Sequence, residues 1–401
     1  MTPYDEIAEI EADNECRAWL IKVLNAKEEI VAFVSSRRPG CPEGEFDGYL
    51  KGSFNFCISA TLTIRREEKV KNEVQVLENL REKTKLPVPR VSSWGLTDES
   101  PRNLGPFIIM DWIKGVSLTT LLKQPGKSED DHVILRDDID NAKLDYVYQQ
   151  LAEFMIELSR LDFDAIGAIT KHSDGMWLAT ERPFTYNMND MAVTVSNYPV
   201  DTFPSAPFRT TRAYLEYQSD ENLTHLRIQR NLTGNPEDAR RRYIARQRFR
   251  QLIPKYCINN NGPFKLFCDD LQPSNMLADP DTLKINAILD WEFTHAMPAQ
   301  FSQDPPWWLL LKGPDMWLEH YSMADFLARY EPRLQQFLHA LEQVEERSPK
   351  SMDVDDVYWG ALHREGDEVL CEEQQRAMEE LVEGKMEDVK AYDKECKERG
   401  L

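Results

Sequence analysis

The stretch from Phe267 to Glu292, F-C-D-D-L-Q-P-S-N-M-L-A-D-P-D-T-L-K-I-N-A-I-L-D-W-E, constrains this chain more than any other. Two short apolar runs, Met276 to Ala278 and Ile285 to Leu289, flank Asp279-Pro280-Asp281-Thr282, a tetrapeptide of turn-forming residues. The spacing predicts a β-hairpin. Asn275 starts its first strand and Asp290 ends its second, so folding brings the two side chains to one end. Asp270, five positions before Asn275, approaches that end from the preceding loop. Three oxygen-bearing side chains then converge.

That arrangement suits phosphoryl transfer. One aspartate accepts or orients a substrate hydroxyl, while an asparagine and a second aspartate offer oxygen ligands to Mg²⁺, a hard cation. A D-x-x-x-x-N loop followed by a metal-binding Asp is the order found in kinases. The loop alone is common by chance, and Asp269, Asp270 or Asp290 could serve only as caps or turn residues. It is the order and spacing of loop, hairpin and terminal acid together that select the functional reading.

The rest of the chain supplies a frame. Residues 5–34 read as a helix, with Ile7, Ile10, Leu20, Val23 and Val31 at helical spacing. A breaker-rich linker begins at Ser35, and strand character runs from Tyr49 to Ile64. From Glu67 to Lys83 the period is helical again, with Val70, Val74, Leu77 and Leu80 on one face. Pro106 to Ile113 is almost wholly apolar, which predicts a strand buried on both faces. A long amphipathic helix is expected over Leu144 to Leu161, and residues 170–235 are irregular. Asn235-Pro-Glu-Asp opens an Arg-rich helix, expected to be solvated or internally paired. The remainder is helical, ending in an acidic helix over 372–399 that reads as a surface or docking element. This order predicts an α+β protein with a small sheet-based lobe and a larger helical lobe. The expected divisions are an N-terminal helix at 1–35, the small lobe at 36–114 and the large lobe at 115–401.

Composition excludes some functions. The 401 residues exceed what one ordinary domain needs. Against 69 Asp+Glu stand 48 Lys+Arg, a net charge of −21, unsuited to general nucleic-acid or anionic-membrane binding. No apolar run approaches a membrane span, and the acidic N-terminus has no signal core, so the expected compartment is the cytoplasm. The seven cysteines are scattered and form no C-x-x-C pair, which fits neither a disulfide framework nor a zinc knuckle.

On these residues the chain resembles the aminoglycoside phosphotransferase and choline-kinase-like family, relatives of the protein kinases, and within it the fungal branch. The likeness rests on Cys268-Asp-Asp-Leu-Gln-Pro-Ser-Asn-Met-Leu-Ala-Asp-Pro280 and on Asp304-Pro-Pro-Trp-Trp-Leu-Leu-Leu311. Gly52-Ser53-Phe54-Asn55, Asn72-Glu73-Val74, Pro87-Val88-Pro89, Gly105 to Gly115 and Phe163-Asp-Ala-Ile-Gly167 agree with it as well. The resemblance spans about residues 46–340. It implies a bilobal protein-kinase-like fold, ATP and Mg²⁺ as cofactors, and a small-molecule hydroxyl as acceptor. Asp270 would be the catalytic base, and Asn275 and Asp290 the Mg²⁺ ligands. Ser53 and Asn55 would lie over the phosphates, and Met110, Asp111, Trp112 and Ile113 would present backbone groups to the adenine. Glu73 would steer the basic residue that holds the α- and β-phosphates.

Two departures stand out. Cys268 and Asp269 replace the family's usual His and Gly. The small lobe is also short: nine residues separate Asn55 from Arg65, and Glu73 follows eight later. Arg65 is the expected phosphate-holding cation, with Arg66 and Lys51 as alternatives. The same shortening motivates a second reading, a non-catalytic nucleotide-binding protein with this fold. The absence of an A-P-E-like segment after Asp290 favours a small-molecule acceptor over a protein.

Overall fold

In this computed structural model the described residues are 5–38, 50–51, 56–57, 65–125, 133–257, 259–302, 305–318, 321–347 and 370–401. The N-terminal helix is two helices, α1 (Glu6–Asn25) and α2 (Lys27–Ser36), interrupted at the buried Ala26. The Asp5 side chain caps α1 by accepting from the Ala8 N–H at 3.3 Å. Two short strands, β1 (Leu50–Lys51) and β2 (Phe56–Cys57), pair antiparallel. Helix α3 (Arg66–Lys83) buries Val70, Val74, Val76, Leu77 and Leu80, the face that the periodicity predicts. Each such side chain contributes about 1.5–3 kcal/mol when fully buried.

Strands β3 (Val91–Gly95) and β4 (Phe107–Met110) form an antiparallel pair. The apolar run at Pro106–Ile113 departs from expectation here. Its strand is only Phe107–Met110, within that strand only Ile109 is buried, and Trp112 is 79% exposed. Among the described residues β4 pairs with β3 alone. Phe33 of α2 packs edge-on against Phe107 with ring centroids 5.0 Å apart, so α2 contacts one face of this strand pair.

After the 111–115 segment the chain becomes mainly helical. Strand β5 (Val116–Ser117) leads into α4 (Leu118–Leu122), and α5 (Asn141–Ser159) follows. Strands β6 (Asp162–Phe163), β7 (Ala168–Lys171) and β8 (Trp177–Glu181) precede α6 (Tyr186–Thr194), α7 (Thr211–Ile228) and α8 (Pro236–Tyr256). Strand β9 (Phe264–Phe267) introduces the candidate site, whose hairpin is β10 (Met276–Ala278) and β11 (Ile285–Ile288). Then come β12 (His295–Pro298), α9 (Ala299–Ser302), α10 (Pro314–Trp317), α11 (Met323–Glu346) and α12 (Glu372–Arg399). The protein is α+β, as expected, with small sheets and a helical majority.

Several sequence readings find their physical explanation. The Arg-rich helix α8 is internally paired: Arg240 bonds Glu379 of α12, Arg242 bonds Asp238, and Arg246 donates to the Asn222 carbonyl at 2.8 Å. Helix α12 docks, burying Val382, Lys385, Tyr392 and Cys396. The Tyr392 hydroxyl accepts from the Glu6 N–H at 2.8 Å, which ties α12 to α1. Of the paired tryptophans, Trp308 lies in the core and Trp307 is exposed.

Candidate functional site

The predicted hairpin forms, in the register Met276↔Ile288 and Leu277↔Ala287. Its turn is held by one carboxylate: Asp279 Oδ1 accepts from the backbone of Asp281 and Thr282 and from the Thr282 hydroxyl. β10 also pairs with β5, joining Leu277 to Ser117 and Ala278 to Val116. Gly115 permits that approach, because a Cβ there would lie 2.9 Å from the Leu277 Cβ. Thus Met110, Asp111, Trp112 and Ile113 lead directly into the hairpin sheet. Asp111 donates its N–H to the Arg90 carbonyl at 3.0 Å, and its carboxylate lies 3.5 Å from Arg90 Nε.

The loop between β9 and β10 positions the candidate base. Asn275 Nδ2 donates to Asp270 Oδ2 at 2.6 Å and to the Asp270 carbonyl at 3.0 Å, and Gln272 donates to the other carboxylate oxygen. Burial pushes the Asp270 carboxyl above its ordinary range, while these two donors pull it back. Asp269 is raised to about 6 by burial and, further, by Asp270; the Tyr186 N–H opposes the shift. Cys268 is buried, and its thiol is pushed well up by desolvation, which leaves little thiolate.

Asp290 stands beyond β11 with φ +61°, a left-handed conformation that costs a non-glycine residue about 1–3 kcal/mol. The Leu289 N–H donates to the Asn275 carbonyl at 2.8 Å, so the two predicted ligand residues flank one hydrogen bond. The Asp290 carboxyl is pushed well above its usual range, first by burial, then by Glu292 and Glu73, with Asp270 adding and Lys69 opposing. Glu73 is likewise raised, to about 7, by burial and then by Glu292; Lys69 and the Trp291 N–H pull the other way.

Sequence reasoning missed two members of this cluster. Lys69 forms a buried ion pair with Glu292, and its Nζ lies 5.2 Å from the Phe293 ring centroid. Both were accessible in principle: Lys69 precedes Glu73 by one helical turn, and Glu292 is the last residue of the motif. Arg65 lies elsewhere, at the cap of α3, with Nη1 3.8 Å from Glu68, and is partly exposed. The cation beside Glu73 is therefore Lys69. Arg66 is the first residue of α3 and Lys51 lies in β1, whereas Ser53 and Asn55 fall outside the described residues.

The donor set fits Mg²⁺. Asn275 and Asp290 offer hard oxygens beside an excess of buried carboxylates. Among the described residues no group of three or more His, Cys, Asp or Glu could hold an ion. A Mg²⁺ held by one or two protein oxygens, with waters and phosphate oxygens completing it, needs no such cage. No described helix is long and apolar enough to cross a membrane.

Residues 59–337 match the family described as Phosphotransferase enzyme family. A curated protein of Meyerozyma guilliermondii, Altered inheritance of mitochondria protein 9, mitochondrial, is 23% identical over 276 residues. That match covers 60% of this chain and 43% of the relative, so the chain spans less than half the length of that protein. Two solved structures are also similar. One, from Ralstonia eutropha JMP134, is described as a candidate aminoglycoside phosphotransferase, with TM-score 0.42, 14% identity, and coverage of 91% of this chain and 98% of that one. The other is the GDP complex of wild-type aminoglycoside 2'-phosphotransferase-IIIa, with TM-score 0.41, 14% identity, and coverage of 90% and 99%.

Proposed function

The chain belongs to the phosphotransferase enzyme family, and we propose that it transfers the γ-phosphoryl group of ATP, with Mg²⁺, to a hydroxyl of a small molecule. The observation that carries this reading is the clasp of Asp270 by Asn275 beside Asp290 in a buried acidic cluster. In this reading residues 36–114 cover the nucleotide, with Met110 to Ile113 at the adenine, and residues 115–401 carry the acceptor.

In this reading Asp270 takes the proton of the acceptor hydroxyl as its oxygen bonds to phosphorus and the bond to the ADP leaving group breaks. A carboxyl raised by burial holds that proton better than an exposed one. Asn275 and Gln272 fix the carboxylate in one orientation, which favours in-line attack. Asn275 and Asp290 would hold Mg²⁺, whose charge offsets that on the phosphate oxygens. The oxygens of Glu73 and Glu292 keep Lys69 inside the cluster, where its ammonium can meet a phosphate.

The test is incubation of the full chain with ATP, Mg²⁺ and a panel of hydroxylated metabolites, read by mass spectrometry for phosphate addition. Loss of the product in Asp270→Asn supports the assignment. The second reading, nucleotide binding without transfer, draws on the shortened small lobe and on the Lys69–Glu292 pair, in which the cation beside Glu73 is already matched by a carboxylate. It predicts nucleotide binding with no phosphorylated product from any acceptor. The expected compartment remains the cytoplasm, with no nucleic-acid or membrane partner; imaging of the tagged chain tests it against the mitochondrial name of the relative.

A further inference from the structure

Away from the acidic cluster, a cavity of about 380 Å³ opens between α5, α10, α11 and the segment before α5. That volume lies in the range of small-molecule pockets. We propose that it binds a small organic anion, a single carboxylate on a short apolar body.

Four charged residues line the cavity: Arg136, Arg329 and Arg333 against one carboxylate, Asp137. In a chain of net charge −21 this is a local reversal of sign, and such a reversal concentrates anions. Two of the guanidiniums are matched. Arg136 forks Asp138 at 2.7 and 2.9 Å, and Arg329 bonds Asp137 at 2.8 Å. Arg333 instead donates to neutral amide oxygens, Asn141 Oδ1 at 2.9 Å and Gln336 Oε1 at 2.7 Å. Its charge is thus met by dipoles rather than by a carboxylate in these bonds.

Trp317 supplies an independent observation. It lines the same cavity, is 2% exposed, and its Nε1 has no hydrogen-bond partner among the described residues. A buried N–H left without an acceptor is costly, and indole and guanidinium groups can only donate. The missing component is therefore an acceptor. Leu135, Leu310 and Pro332 complete the wall with apolar surface, which asks for an apolar body behind the acceptor. Asp137 on the rim disfavours a dianion, so a monoanionic carboxylate fits better than phosphate.

Calorimetry on the full chain tests this, with hexanoate as the probe and acetate, hexan-1-ol and inorganic phosphate as comparisons. Hexanoate is expected to bind one to one, at least about tenfold tighter than each of the other three. Arg333→Gln is expected to weaken it about ten- to hundredfold, the range for a lost hydrogen bond to a charged group. Thermal melts check that the variant folds, and if it does not, Arg333→Lys, which keeps the charge but loses the planar two-pronged donor, takes its place and is expected to weaken binding in the same direction. Absence of hexanoate binding to the unaltered protein, equal binding of hexan-1-ol or phosphate, or a folded arginine variant that binds hexanoate as the unaltered chain does would each overturn the proposal.

Discussion

Lys69 and Glu292 form a buried ion pair that joins α3 to the segment following the hairpin. The same lysine stands one helical turn from Glu73, whose carboxyl it lowers while burial and Glu292 raise it. The small sheet-bearing part of the chain is thus bound to the candidate site by charge as well as by packing. Asn72 adds a neutral tie, donating to the Thr294 carbonyl at 2.8 Å.

Removing one partner of a buried pair leaves the other charge uncompensated. Lys69→Met is therefore expected to cost about 3–5 kcal/mol of unfolding free energy, and Lys69→Met with Glu292→Gln much less than the sum of the single changes. Urea denaturation of the four proteins measures the coupling. Additive costs would mean that the pair contributes nothing as a pair.

The two candidate phosphate-holding cations make opposite predictions. In the Glu292→Gln background, Lys69→Met is expected to weaken Mg·ATP binding at least about tenfold, the scale of a lost charge-assisted hydrogen bond. Arg65→Ala, which removes a partly exposed side chain bonded to Glu68, is expected to weaken it less than about threefold. Calorimetric titration ranks them, and the reverse order would return the role to Arg65.

Asp270 and Asp290 should fail differently. Asp270→Asn keeps the shape of the Asn275 clasp and is expected to lower turnover by about 10²–10⁴-fold with nucleotide binding nearly intact. Asp290→Ala is expected to weaken Mg·ATP binding itself. Steady-state rates and titrations on both variants check this, and equal mild effects would remove both roles.

Stability should fall as pH rises through the range set by Glu73. Its carboxyl titrates near 7 in the folded chain against 4.5 for the ordinary group, so the folded state holds the proton more tightly. The stability this supplies is complete below pH 4.5 and is lost as pH rises through about 7, a change of roughly 3 kcal/mol. Asp269, raised to about 6, adds in the same direction. Glu73→Gln is expected to flatten the slope between pH 5 and 7 by about 1.4 kcal/mol per pH unit. Urea midpoints across that range supply the measurement, and an unchanged slope would place the titrating group elsewhere.

Local order in the sequence determined a good deal. The hairpin follows from two apolar runs around Asp279, whose carboxylate builds the turn from neighbours two and three residues away. The buried face of α3 follows from 3.6-residue periodicity, and the clasp of Asp270 by Asn275 from a five-residue step. Each of these is set by contacts close in the chain, which is why spacing reveals them. Tertiary structure alone decided the partner choices. Lys69 reaches Glu292 across more than two hundred residues, and the Tyr186 N–H supports Asp269 from a helix that no motif connects to it. It also placed Arg65 on the helix cap rather than beside Glu73, and turned Trp112 out to solvent despite an apolar run. Burial, and the identity of the charge that faces a buried carboxylate, depend on which distant elements pack together. Composition and periodicity carry no record of that packing.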